Sequence, residues 1–83
     1  MIFQIIVPLP SPSPQCIAQY DFHMAAPDEE GCLSFHKGAV INVIRRVDEN
    51  WAEGRLHNKI GIFPIAFVEM NASALDIIND PTK

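Results

Sequence analysis

The side chains with the most to offer a ligand are aromatic, and they fall in three short runs. Tyr20 and Phe22 flank Asp21, Trp51 follows the polar run Asp48-Glu49-Asn50, and Phe63-Pro64 is followed by Phe67. Trp51 is the only tryptophan in the chain. A tryptophan opening a strand after an acidic loop, together with a Phe-Pro step, suggests a shallow aromatic groove. Such grooves recognise proline-rich segments in the polyproline II conformation. The other reactive side chains make no such grouping. Cys16 and Cys32 lack zinc-ligand spacing and read as reduced, partly buried thiols. His23, His36 and His57 are scattered and read as surface residues. No nucleophile–base pair or phosphate loop is present, so the chain reads as non-catalytic, with no metal and no cofactor.

These side chains need a scaffold, and a chain of 83 residues holds at most one small domain. The formal net charge of −4 argues against nucleic acid, which calls for clustered Lys and Arg. Arg45 and Arg46 are neighbours, so on a strand they face opposite sides and form no patch. The opening Met1–Val7 run is too short to span a bilayer and lacks the features of a signal peptide. The expectation is a cytoplasmic, monomeric domain with no membrane contact. Asn71-Ala72-Ser73 matches a glycosylation sequon, read here as a chance match.

Three zones divide the chain. Residues 1–14 end in a Pro/Ser run with proline at every second position from Pro8 to Pro14, and are expected to be disordered. Residues 15–71 carry short strand-like stretches separated by turn signals, as in a small all-β barrel. The expected strands are Cys16 to Tyr20, Val40 to Val47, Trp51 to Leu56, Ile60 to Phe63 and Val68 to Met70. Phe22 to Leu33 is a long irregular arm, and His57-Asn58-Lys59 a tight polar turn. A single 3₁₀ turn is expected over Pro64 to Phe67. The expected core is Ala18, Leu33, Phe35, Ile41, Val43, Phe63 and Val68. Gly54 and Gly61 should sit where a side chain would collide with a neighbour. Residues 72–83 are expected to be mostly disordered, because a helix this short is marginal alone.

The runs Ala18-Gln19-Tyr20-Asp21-Phe22, Leu33-Ser34-Phe35-His36-Lys37-Gly38, Trp51-Ala52-Glu53-Gly54 and Gly61-Ile62-Phe63-Pro64-Ile65-Ala66-Phe67-Val68 fall in one order. In that order they resemble the Src-homology-3 (SH3) domain. The stretch Val43 to Gly54 is similar to the second SH3 domain of the POSH ("plenty of SH3s") family of signalling scaffolds. The resemblance implies a five-stranded SH3-like barrel with a 3₁₀ turn before the last strand, and a non-catalytic module for proline-rich segments of signalling proteins. It implies a ligand shelf of Tyr20, Phe22, Trp51, Pro64 and Phe67. POSH-like proteins resemble RING-type ubiquitin ligases elsewhere in their length, but this chain has no comparable Cys/His ligand set.

Several positions depart from the family pattern. Phe22 and Phe67 stand where tyrosine is usual, Ala66 where asparagine is usual, and Ile62 where an aromatic is common. Each lost hydrogen bond weakens the polar edge of the shelf by about 0.5–1.5 kcal/mol. The family's acid before the Leu-Ser-Phe leucine is replaced by Cys32. Its role of gripping a basic ligand residue passes to Glu29, Glu30 or Glu49, or is weakened. The depleted edge keeps a second reading open, in which the fold serves a non-proline partner or self-association.

Overall fold

The computed structural model describes residues 13–23 and 31–79. Five strands form one antiparallel sheet: β1 (Gln15–Ala18), β2 (Val40–Arg46), β3 (Trp51–Leu56), β4 (Lys59–Pro64) and β5 (Val68–Met70). The spatial order is β4-β3-β2-β1-β5. A 3₁₀ turn, Ile65–Phe67, precedes β5, and a helix, α1 (Ala72–Ile78), follows it. The predicted all-β architecture and the turn before the last strand are both present. The strand bounds move only at their ends.

β2 shows why the sheet forms here. It is rich in β-branched residues, and its burial alternates: Ile41 and Val43 face the core, while Val40, Asn42 and Ile44 face out. The register shifts between Val43 and Arg45, which bends the strand. Arg45 then pairs outward with Glu53 at 2.9 Å, and Arg46 points elsewhere. β3 and β4 form a hairpin joined by His57 and Asn58, with His57 in the left-handed region at φ 57.

Gly54 is required by space. A Cβ there would lie 2.7 Å from the Asn42 carbonyl oxygen, 2.7 Å from Ile41 Cγ2 and 2.9 Å from Phe63 Cε2. Gly61 is slightly less tight, with the Gly31 carbonyl oxygen 2.9 Å from where its Cβ would be. This closeness lets the base of the long arm sit on β4, where Ile62 N–H donates to Gly31 O and Leu33 N–H donates to Ile62 O. Residues 24–30 of that arm lie outside the described residues.

The core contains Ala18, Leu33, Phe35, Ile41, Val43 and Phe63 as expected, with Val68 only half-buried. Cys16 and Ala52 join it. Ala74 and Ile78 also join it, which corrects the expectation of disorder for residues 72–79, while residues 80–83 of that tail lie outside the described residues. The spacing 74, 77, 78 is one helical face. Docking that face supplies the burial that a short isolated helix lacks.

Asn71 is the N-cap of α1. Its Oδ1 accepts from Ala74 N–H at 2.9 Å and from Gln15 N–H at 3.2 Å, and its Nδ2 donates to Ser13 O at 2.9 Å. The sequon nitrogen is therefore engaged inside the domain. Val43 N–H donates to Pro14 O at 2.9 Å, so Ser13 and Pro14 are tied to the barrel rather than disordered. Residues 1–12, the rest of the segment expected to be disordered, lie outside the described residues.

Candidate functional site

Three separate stretches of chain bring the aromatic side chains together. Tyr20 lies in the bend after β1, where Gln19 N–H donates to Phe67 O at 2.8 Å. Phe22 is bridged to Phe35 by a reciprocal pair of backbone bonds, each 2.8 Å. Asp21, between them, accepts from Lys37 N–H at 2.7 Å, so its carboxylate is used in holding the run in place.

Trp51 opens β3 opposite Pro64 of β4. The loop before it is pinned by Asp48, whose Oδ1 accepts from the N–H groups of Asn50 at 2.8 Å and Trp51 at 2.9 Å. Trp51 O in turn accepts from Val47 and Asp48 N–H. Asn50 O accepts from Ile65 N–H at 2.9 Å, which joins this loop to the 3₁₀ turn carrying Phe67.

The rings form one continuous row. Tyr20 meets Phe67 at 5.6 Å, Phe67 meets Phe22 at 5.6 Å, and Phe22 meets Trp51 at 6.1 Å, all edge-on. Edge-to-face pairs place the positive edge of one ring on the negative face of the next, which fixes ring orientation. Tyr20 is 60% exposed, and Phe22, Trp51, Pro64 and Phe67 are half-buried. Phe22 also packs on the core through Phe35, 5.5 Å away. It is at once a wall of the row and an anchor to the interior. Ala66 is exposed and offers no side-chain donor, and Ile62 is half-buried on β4.

Of the three acids expected to grip a basic ligand residue, Glu49 is exposed in the loop before Trp51. Glu29 and Glu30 lie outside the described residues. All three histidines are exposed, with the His23 and His36 rings edge-on at 5.0 Å. Among the described residues no group of His, Cys, Asp and Glu side chains is placed to hold a metal ion. Burial pushes the Cys16 thiol up to about 12, with a backbone hydrogen bond from Ile41 partly opposing it. Both cysteines are free.

Sequence reasoning missed the structural duty of Asp48 and the reach of Arg46. The first had a local signal, since Asp two residues before Asn50 and three before Trp51 suits a side-chain turn onto the backbone. The second had none.

A five-stranded barrel presenting such a row is an interaction module, and the chain belongs to the SH3 domain family, whose model matches residues 17–65. Among curated proteins, it is 51% identical over 78 residues to the E3 ubiquitin-protein ligase SH3RF2 of Rattus norvegicus. It is 49% identical over 78 residues to SH3RF2 of Homo sapiens. Each match covers 90% of this chain but only 11% of the relative's length. Endophilin-A2 of Homo sapiens is 44% identical over 61 residues, covering 74% of this chain and 16% of that protein.

Among solved structures, the C-terminal SH3 domain of myosin IB from Entamoeba histolytica, bound to an EhFP10(GEF) peptide, has a TM-score of 0.62 and 31% identity. It covers 74% of this chain and 86% of that one. A second structure of the same myosin domain has a TM-score of 0.58 and 32% identity, covering 71% of this chain and 93% of that one.

Proposed function

We propose that the row Tyr20, Phe67, Phe22 and Trp51, with Pro64, binds proline-rich segments in the polyproline II conformation. The observation that carries this reading is the continuity of the row, with ring contacts of 5.6, 5.6 and 6.1 Å. A polyproline II helix has about three residues per turn and no internal hydrogen bonds. Two of its faces can lie on adjacent rings while its carbonyls seek donors such as the Trp51 indole N–H. Glu29, Glu30 or Glu49 gives a basic ligand residue an acidic neighbour. The peptide-bound myosin domain supports the use of this fold on a peptide.

The module acts as a cytoplasmic monomer within a scaffold. Ubiquitin-ligase activity of the kind named for the SH3RF2 relatives belongs to a RING region outside this chain. The depleted polar edge at Phe22, Ala66 and Phe67 favours one competing reading, a non-proline partner or self-association. The deciding experiment is a peptide-array screen followed by titration of the best sequences while monitoring Trp51 fluorescence. A small interface with few donors predicts a dissociation constant of roughly 10 μM to 1 mM. Array hits without paired prolines, or a fluorescence change that depends only on protein concentration, would replace the proposal with the competing reading.

A further inference from the structure

Arg46, the last residue of β2, joins two parts of the molecule that share no sequence neighbourhood. Its Nε donates to Asp48 O at 2.8 Å and its Nη2 to Glu49 O at 3.2 Å, both in the loop before Trp51. Its Nη1 donates to Ile78 O at 3.0 Å, at the end of α1. The last carbonyls of a helix have no partner inside it and carry partial negative charge, so a guanidinium satisfies them and is favoured there. From Asp48 the connection continues without a gap. The Asp48 carboxylate holds the N–H groups of Asn50 and Trp51, and Asn50 O holds Ile65 at the start of the 3₁₀ turn. The far end of α1 is fixed by Asn71, and its face by Ala74 and Ile78 in the core.

We propose that Arg46 is a positioning residue for the aromatic row, through which docking of α1 raises the affinity of that row for its ligand. The helix touches no ligand in this scheme. It holds the guanidinium, and the guanidinium holds the loop that sets Trp51 and Glu49. A loop ordered in advance spares the ligand the entropy of ordering it. Lysine cannot replace Arg46, because bridging three carbonyls needs the planar fork rather than a point charge. The affinity part rests on the groove reading given above, while the positioning part stands without it.

The test uses the full chain with Arg46→Lys, Leu75→Pro and the double variant. Leu75 is 45% exposed and its N–H donates to Asn71 O, so proline there breaks the helix without itself replacing a core side chain, and Ala74 and Ile78 are left unaltered in sequence. Leu75→Gly serves the same purpose more mildly should the proline variant fail to fold. The first readout is amide hydrogen exchange without ligand. Exchange at Asn50 and Trp51 should rise about three- to tenfold in each single variant, with Leu33 and Val43 unchanged. The second is affinity for an Arg-flanked Pro-x-x-Pro peptide. It should weaken about three- to tenfold in each single variant, and no further in the double, because both act through one connection.

Unchanged exchange at Asn50 and Trp51 in Arg46→Lys overturns the proposal, as does an equal rise across the core. Affinity losses that multiply in the double variant overturn the route through Arg46. Failure of the wild-type chain to bind the peptide counts against the groove reading and against the affinity part. The exchange readout still decides whether Arg46 positions the loop.

Discussion

Replacing Trp51 with alanine should separate binding from folding. The side chain is half-buried, and its ring meets Phe22 at 6.1 Å, an edge-on contact of about 0.5–1.5 kcal/mol. The bonds that fix this position use main-chain atoms. Trp51 N–H goes to the Asp48 carboxylate, and its carbonyl accepts from Val47 and Asp48. Alanine keeps all of them. The expected stability loss is therefore about 1–2 kcal/mol, within the roughly 5 kcal/mol that a small domain has available. Leu33→Ala is the contrasting control. Leu33 is 1% exposed, and removing it should cost about 2–5 kcal/mol.

Binding should suffer far more than stability. If a ligand covers about 100 Å² of the indole, the loss at about 25 cal/mol per Å² is about 2.5 kcal/mol, or about 70-fold in affinity. Starting from roughly 10 μM to 1 mM, that places the variant at roughly 0.7 to 70 mM. The assay is an NMR titration with a peptide selected on the wild-type chain, with thermal unfolding followed by circular dichroism. A folded variant whose affinity stays within about threefold of wild type would refute the reasoning, because Trp51 would then lie outside the ligand's footprint. An unfolded variant would refute it differently, by making Trp51 a core residue.

Gly54→Ala should lower stability by about 1–3 kcal/mol in urea titration, because a Cβ at 2.7 Å from the Asn42 carbonyl meets backbone that cannot rotate away. Neutralising Glu49 together with Glu29 and Glu30 should weaken binding of an arginine-bearing peptide and flatten its dependence on salt, as isothermal titration at low and high ionic strength would show. At mildly alkaline pH a thiol reagent should label Cys32 in the native chain and spare Cys16, whose thiol is buried and pushed up to about 12; mass spectrometry reads the result. The raised value also fixes a sign. The unfolded chain loses the Cys16 proton first, near 9.0, so stability is intact below that pH and falls as pH rises toward about 12, as urea midpoints would show.

Much of this molecule is written locally. The alternation in Val40–Arg46, the hairpin at His57-Asn58 and the run after Phe63 each depend on neighbouring residues. β3 and β5 accordingly carry the bounds read from sequence, Trp51–Leu56 and Val68–Met70. The identities of Tyr20, Phe22, Trp51, Pro64 and Phe67 as a group are equally legible, because their motifs fix their order along the chain. Their contact is not. The row exists because β3 pairs with β4, the bend after β1 bonds to Phe67, and Phe22 bridges to Phe35.

Tertiary structure alone decided the helix and its connections. Residues 72–78 have weak helical tendency by themselves, and the apolar face at 74 and 78 becomes stabilising only once a core is present to receive it. Asn71 is read locally as a chance sequon, yet it joins the helix start to Gln15 and Ser13. Arg46 reads locally as one surface charge beside another, yet it spans from the loop before Trp51 to Ile78. A side chain's local pattern reports which face it leaves from. Which carbonyls wait at the end of its reach depends on how distant segments pack, and here that packing set the loop beside the aromatic row.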